Sequence, residues 1–323
     1  MNQKIGYGIV LVLACIAPLV LYPIFLMKVL CFALFACAFN LLIGYTGLLS
    51  FGHAAFFGGA GYATGYALKT WGLPTELGIL FGVLVAAAIG LLMGALAIRR
   101  QGIYFTMITL ALAQMFYFFY LQAPFTGGED GLQGVPRGSL LGWLNLSNDL
   151  TLYYVVLAIS IAGYALIVRI VHSPFGQVLR AIKENEPRAI SLGYDVNRYK
   201  LLAFVLSAAL SGLAGATKTM VLGFETLTNV HWTMSGLVVL MTLVGGLGTL
   251  IGPIVGAIII IALENKLGTL GYFLSSVTGI EWFQSLGDSV TIVTGLIFII
   301  CVLAFRRGIV GEILARFKRA PAS

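Results

Sequence analysis

Long runs of apolar residues, each followed by a few polar or turn-forming residues, repeat along the whole chain. A transmembrane helix needs about 20 predominantly apolar residues, within a range of about 17–25. The pattern therefore predicts an all-α integral membrane protein, a polytopic helical bundle of about ten spans that forms one transmembrane domain over residues 1–323. The predicted spans are 5–27, 29–46, 52–68, 77–98, 102–122, 151–171, 200–222, 234–251, 252–267 and 289–305.

Two pairs of predicted spans are only weakly separated, at 46–52 and around 245–252, and both junctions are rich in glycine. Each is open to two interpretations, as two clean crossings or as a broken or re-entrant helix. Glycine-rich backbone at membrane depth is tolerated where it is buried in protein or lines a water-filled cavity. The candidates for a translocation path are therefore Gly47, Ser50, Gly52, His53, Gly245, Gly246, Gly248 and Gly252, with a packing role as the favoured alternative for His53.

Residues 172–200 form a polar segment between two apolar runs. Ser173 and Pro174 are typical of a helix N-cap and first helical position, and Gly193 is typical of the residue that follows a helix end. Glu186-Pro187 marks a break, so two short helices are predicted. One face of the first helix is apolar, which fits either a helix lying in lipid headgroups or a docking surface for a soluble partner. That face carries Phe175, Val178, Leu179 and Ile182.

The composition supports a membrane protein, because 59% of residues are hydrophobic and only 10% are charged, against about 25% charged residues in soluble chains. Placing the N-terminus inside puts most of the 19 Lys and Arg on the inner side. The positive-inside rule then predicts cytoplasmic termini, a cytoplasmic 172–200 segment and a periplasmic 123–150 loop. The net charge of +7 reflects these inner loops, and no nucleic-acid partner is expected.

The chain lacks the motifs of common enzymes. There is no phosphate loop, nucleophile elbow, zinc helix or dinucleotide fingerprint, and its four cysteines lack the paired spacing of a metal or redox site. Few ionisable residues fall in mid-membrane, and Lys218 is expected to extend to the far interface. A solute pathway of this kind acts either as a channel or carrier down a gradient, or as a permease driven by a partner ATPase.

Several motifs together resemble a known family. They are NLLIGYTGLLSFGHAAFFG at 40–58, TGGEDGL at 126–132, FGQVLRAIKENEPRAISLGYDVNRYKLLAFVLSAALSGLAGA at 175–216, VGGLGTLIGPIVGA at 244–257 and FRRGIVGE at 305–312. In this combination the chain is similar to LivM-type permeases of branched-chain amino acid ABC importers. Permeases for urea or short amides and, more distantly, for simple sugars share that scaffold, and a stand-alone channel, a secondary carrier or a non-transporting membrane scaffold are the remaining alternatives.

The resemblance implies a non-enzymatic subunit of a bacterial inner-membrane complex, surrounded by membrane lipid. Its partners would be a second LivH-like permease, two cytoplasmic ATPase subunits and a periplasmic amino-acid-binding protein. ATP and Mg²⁺ would bind to the ATPase subunits, and no cofactor or metal to this chain. Glu186, Ala189 and Gly193 are similar to the signature that such permeases present to the ATPase, although Pro187 and Arg188 depart from its usual form. The full set of candidate coupling residues is Phe175, Val178, Leu179, Arg180, Ile182, Lys183, Glu184, Glu186, Arg188, Ala189 and Gly193.

Overall fold

The computed structural model describes residues 14–19, 21–140, 142, 144–278, 295–296, 299 and 308–312. Within them the chain is predominantly α-helical. The α-helices are α1 (Pro23–Thr46), α2 (His53–Lys69), α3 (Thr75–Ala97), α4 (Ile103–Gln122), α5 (Asp149–His172), α6 (Pro174–Glu184), α7 (Glu186–Ser191), α8 (Val196–Leu222), α9 (Trp232–Gly245) and α10 (Gly252–Thr278). Four strands of two residues each accompany them: β1 (Leu132–Gln133), β2 (Ser139–Leu140), β3 (Leu144–Asn145) and β4 (Phe224–Glu225).

Five helices in the described ranges are long and apolar enough to cross a membrane: α1, α3, α4, α5 and α8. The structure thus agrees with an all-α membrane protein, and the count of ten spans stays a prediction. Residues 5–13 and 20 of the predicted span 5–27 and nearly all of 289–305 lie outside the described residues.

The boundary predicted at residue 28 is wrong. Helix α1 begins at Pro23, whose fixed φ suits the first helical position, and runs without a break to Thr46. Lys28 lies inside this helix, where its ammonium stands 5.9 Å from the centre of the Phe32 ring. A single lysine does not end a helix, because its long apolar stem packs along the apolar surface and keeps the charged ammonium out of the apolar surroundings.

Both glycine-rich junctions interrupt the helices. Residues 47–52 separate α1 from α2, and residues 246–251 separate α9 from α10. Helix α2 has 17 residues and α9 has 14, so each is shorter than the roughly 20 residues of a full crossing. The end of α1 at Gly47 has a φ of 77°, a conformation that glycine adopts without strain.

The centre of the bundle is formed by α1, α2, α3 and α8, which pack closely through small residues. A Cβ atom on Gly215 of α8 would overlap the carbonyl oxygen of Phe57 in α2, and one on Gly212 would overlap Ala86 of α3. Lipid offers no hydrophobic drive for association, so helices in a membrane gain stability by such close backbone approach.

The 123–150 loop covers the end of the bundle where α8 stops. Strand β1 pairs antiparallel with β4, and β2 pairs antiparallel with β3. Arg137 forms an ion pair with Asp149 at 2.6 Å and donates to the carbonyl of Val221 at 3.1 Å. The Lys69 ammonium donates to the carbonyl of Gln133 at 2.7 Å. These contacts join the loop to both α2 and α8.

Candidate functional site

The 172–200 segment folds as two short helices because local signals start and stop them. The Ser173 hydroxyl accepts from the Gly176 amide and Pro174 occupies the first turn of α6. The Asn185 side chain caps α7 by accepting from the Arg188 amide at 3.1 Å. Gly193, with a φ of 88°, then turns the chain into α8.

The apolar face of α6 packs against this chain's own bundle. Leu179 and Ile182 are fully buried, and the Phe175 ring stacks on Tyr199 with centroids 5.6 Å apart. These side chains attach the helix to the membrane domain, and a role for them in contacting an ATPase stays a prediction. The cluster beneath the segment contains Ile182, Ala189 and Val196, with Val178 and Tyr199 packed against it.

Glu186 also contacts this chain. One carboxylate oxygen accepts from the Lys200 ammonium at 2.7 Å and the other accepts from the Gln101 side chain at 2.9 Å. The Lys200 side chain is only 4% exposed, so solvent screens this pair less than an exposed one. Glu186 therefore holds α7 against the start of α8 and the turn between α3 and α4.

Two basic residues of α6 hold the helix on the end of α1. The Lys183 ammonium donates to the carbonyl of Gly44 at 2.7 Å. The Arg180 guanidinium lies 5.2 Å from the centre of the Tyr45 ring, within the range of a cation–π contact. The carbonyl of Gly44 belongs to the last turn of α1, where a cation also interacts favourably with the helix dipole.

The exposed surface of the segment lies elsewhere. Ile190 and Leu192 are 57% and 68% exposed and Tyr194 is 40% exposed; we call these three residues the apolar patch. Glu184, Arg188 and Arg198 are exposed beside it. Sequence reasoning missed the patch because its residues fall outside the helical periodicity of α6. Apolar residues on both sides of Gly193 in a polar segment are the signal that could have found it.

The second group of predicted residues lies in the glycine loop, which we define as residues 246–251, and in its flanking helix ends. Gly245 packs directly on the backbone of Gly252, where a Cβ atom would overlap. The Asn40 side chain of α1 donates to the carbonyl of Thr249 at 2.9 Å and accepts from the amide of Gly248 at 3.0 Å. The structure thus brings Gly245, Gly246, Gly248 and Gly252 together at the same end of α1 that α6 contacts.

The remaining candidates are split between two places. Gly47 lies beside the Lys183 stem. Ser50, Gly52 and His53 are buried within the bundle, where the Ser50 hydroxyl accepts from the Gly52 amide at 3.1 Å. Their role in a path stays a prediction.

His53 is fully buried among aromatic rings. Its Nε2 lies 2.9 Å from the Ser207 hydroxyl, which donates to the carbonyl of Ala38 at 2.6 Å. Because that hydroxyl has one proton to donate, it accepts from His53, which places the imidazole proton on Nε2. His53 thereby connects α2 to α8 and α1.

A buried ion pair lies near the 123–150 loop. Lys218 was predicted to extend to the interface, and this is wrong: its side chain is 5% exposed and its ammonium lies 3.9 Å from a Glu225 carboxylate oxygen. Gly223, with a φ of 74°, turns the chain back after α8 and brings Glu225 inward. Burial raises the pKa of the Glu225 carboxyl, while Lys218 and the Thr219 hydroxyl, which donates at 2.6 Å, act in the opposite direction.

Among the described residues, no group of three or more His, Cys, Asp or Glu side chains could hold a metal ion. The geometry instead combines a polar segment, firmly attached to one end of the bundle, with a glycine loop at the same end.

The chain has relatives among known proteins. A family profile described as branched-chain amino acid transport system / permease component matches residues 22–303. The chain is 28% identical over 245 residues to the high-affinity branched-chain amino acid transport system permease protein LivM of Escherichia coli strain K12, covering 69% of this chain and 58% of that protein.

Other relatives carry different names. The autoinducer 2 import system permease protein LsrC of Klebsiella pneumoniae is 29% identical over 192 residues, covering 58% of this chain and 53% of that protein. The ribose import permease protein RbsC of Bacillus subtilis strain 168 is 28% identical over 186 residues, covering 56% and 51%. The chain spans less than two thirds of the length of each of these relatives. Since the family profile matches most of its residues, the chain belongs to the family of branched-chain amino acid transport system permease components.

Proposed function

We propose that the chain is a permease subunit of an ATP-driven importer in a bacterial inner membrane. Its solute is a branched-chain amino acid or a related amino acid. The observation that carries the proposal is the attachment of the 172–200 segment: its apolar face packs on the bundle while the apolar patch is left exposed. A segment that is fixed on one side and exposed on the other can transmit force from a soluble partner.

The complex also contains a second LivH-like permease, two cytoplasmic ATPase subunits and a periplasmic amino-acid-binding protein. ATP and Mg²⁺ bind to the ATPase subunits. ATP binding brings the coupling segments of the two permeases together, and this rigid-body movement switches the path between outward and inward access. Residues 172–200 lie in the cytoplasm, as do both chain termini, and the 123–150 loop faces the periplasm.

The apolar patch suits an apolar groove on the ATPase. Ile190, Leu192 and Tyr194 supply the contact area, and Arg188 favours an acidic rim around that groove, whereas Arg198 pairs with Asp195 at 2.8 Å. Glu184 is exposed on α6 and adds a polar contact. Buried apolar anchors carry most of the binding energy in such interfaces, whereas charges at the rim mainly steer association.

The docking prediction is tested by changing the patch. In the complete complex reconstituted in vesicles, Ile190→Ser with Leu192→Ser should reduce solute-stimulated ATP hydrolysis and co-purification of the ATPase subunits by about tenfold or more. The matched control is Leu144→Ser, a similarly exposed leucine in the 123–150 loop, which should leave both unchanged. Wild-type hydrolysis and co-purification in the double variant would show that the ATPase docks elsewhere.

A sugar or other small polar solute is the second candidate, because relatives named for ribose and autoinducer 2 import match about half of the chain. A permease for urea or short amides on the same scaffold is a further alternative. Uptake of leucine, ribose and urea by the complete complex, with its binding protein, separates these. Leucine uptake that requires ATP supports the first proposal; uptake by the isolated chain without ATP contradicts it and favours a channel or carrier.

A further inference from the structure

The 172–200 segment and the glycine loop contact the same turn of α1. From Asn40 to Gly44 the helix rises by about 6 Å. Within that distance the Lys183 ammonium of α6 binds the carbonyl of Gly44 at 2.7 Å, and the Asn40 side chain binds the glycine loop. Residues 40 and 249 are thus joined directly although they are far apart along the chain.

Asn40 is well suited to hold the loop. Its amide donates to the carbonyl of Thr249 at 2.9 Å, and its oxygen accepts from the amide of Gly248 at 3.0 Å. The side chain is 3% exposed, so water competes little for either bond. Both partners are backbone atoms, so Asn40 fixes the backbone of the glycine loop directly.

Gly44 allows the close approach that this contact requires. A Cβ atom at Gly44 would overlap Asn40 Oδ1 and stand only 3.0 Å from the amide nitrogen of Gly248. The stem of Lys183 passes over Gly47, where a Cβ atom would lie 3.3 Å from Lys183 Cγ. The end of α1 is therefore in contact with α6 and with the glycine loop at once.

The glycine loop is held together by hydrogen bonds of its own. The Thr249 hydroxyl donates to the carbonyl of Gly246 at 2.8 Å and accepts from the amide of Gly252 at 3.1 Å. Gly246 and Gly248 have φ values of 126° and 73°, which other residues adopt only with strain. The Thr249 hydroxyl thus connects Gly246 to Gly252 at the start of α10.

We propose that Lys183, Gly44 and Asn40 form a mechanical link that carries movement of the 172–200 segment to the glycine loop. The inference rests on the proposed function. In this link, Lys183 and Asn40 are positioning residues, because they act on the path through the backbone of Gly44, Gly248 and Thr249. A competing explanation is that Lys183 only caps the end of α1, which would affect stability and leave the coupling of ATP hydrolysis to transport unchanged.

The experiment measures solute transported per ATP hydrolysed by the complete complex in vesicles. Lys183→Met and Asn40→Ala should each lower this ratio by about fivefold or more, the range of a typical coupling between sites, while the ATPase subunits co-purify in wild-type amount. The double variant should be no worse than the more affected single variant, because both changes break one link. Lys183→Arg retains a donor and should restore most of the ratio.

The matched control is Lys69→Met, which removes another lysine-to-carbonyl hydrogen bond of 2.7 Å at the opposite end of the bundle. It should leave the ratio unchanged. An unchanged ratio in Lys183→Met, or a double variant whose loss equals the product of the single losses, overturns the link. If Asn40→Ala does not assemble, Lys183→Met against Lys183→Arg decides alone.

A second readout does not depend on uptake. In a background without native cysteines, the thiol-labelling rate of Leu247→Cys, an exposed position of the glycine loop, should differ between nucleotide-free and nucleotide-trapped complexes. Adding Lys183→Met should remove the difference. A difference that persists contradicts the link while leaving the proposed function intact, whereas a wild-type complex without ATP-dependent uptake contradicts both.

Discussion

Lys218 and Glu225 show what a buried charge requires in this protein. Both side chains are at most 5% exposed, and removing two charges from water costs free energy that only good partners offset. The carboxylate has the Thr219 hydroxyl at 2.6 Å, and the ammonium lies 5.3 Å from the centre of the Phe57 ring. Gly61 leaves room for this carboxylate, since a Cβ atom there would stand 2.7 Å from it.

Removing one residue of this ion pair should destabilise the protein more than removing both. Lys218→Met leaves an unpaired buried carboxylate and should lower the free energy of unfolding by about 3 kcal/mol, whereas Lys218→Met with Glu225→Gln should recover most of the loss. Thermal unfolding in detergent micelles measures this, with Lys69→Met as the control. A double variant less stable than Lys218→Met would contradict the pairing.

The stability of the Lys218→Met variant should depend on pH. Without Lys218, burial raises the pKa of Glu225 and only hydrogen bonds such as that from Thr219 oppose it, so the folded state binds a proton more tightly than the unfolded state does. Stability is then present at low pH and is lost as the pH rises from the ordinary pKa of the carboxyl towards its raised value. Lys218→Met should be more stable at about pH 5 than at about pH 8, relative to wild type. An identical stability difference between Lys218→Met and wild type at both pH values would contradict this prediction.

At the scale of elements, α2 and α8 approach so closely that the bundle depends on particular glycines. The carbonyl of Phe57 occupies the place of a Cβ atom at Gly215. A carbonyl of a helix backbone cannot rotate aside, so a larger residue would have to separate the two helices. Overpacking of this kind typically costs about 1–3 kcal/mol.

Gly215→Ala should therefore reduce the melting temperature and the yield of folded protein, although alanine favours helix formation. Gly236→Ala in α9 is the matched control, because no described atom lies within 4 Å of a Cβ atom there; it should be neutral or slightly stabilising. Equal melting temperatures for the two variants would indicate that the α2–α8 contact is looser than described.

At the scale of the whole molecule, the two polar structures lie at opposite ends of α8. The helix begins at Val196, within the 172–200 segment, and ends at Leu222, next to the 123–150 loop. Its 27 residues correspond to about 40 Å, enough to cross a bilayer including the interfaces. The two structures should therefore face different compartments, and the positive-inside rule predicts that the 172–200 segment is the cytoplasmic one.

Labelling with a membrane-impermeant thiol reagent checks this orientation. In a background without native cysteines, Leu192→Cys should react only in inside-out vesicles, and Leu144→Cys should react only in right-side-out vesicles. Both positions are exposed. The reverse pattern would overturn the orientation and, with it, docking of a cytoplasmic ATPase to the apolar patch.

The short-range features were predictable from the sequence because their causes are local. Apolar runs produced the long helices, and Ser173, Pro174 and Gly193 marked the limits of α6 and α7. The break at 47–52 follows equally from the glycines at its two ends, Gly47 and Gly52. Lys28 is the counterexample, since one charged residue in an apolar run is weak evidence for a helix end.

Amino-acid order alone determined that this is a helical membrane protein with a polar segment between two of its apolar runs. Only the tertiary structure decided which side of that segment is exposed. It also decided which residues form hydrogen bonds or ion pairs with Glu186, Lys183, Asn40 and Lys218. Helical periodicity identifies an apolar face, but it carries no information about what covers that face. Contacts such as Asn40 with Thr249, 209 positions apart, arise from the packing of whole helices, so no local pattern contains them.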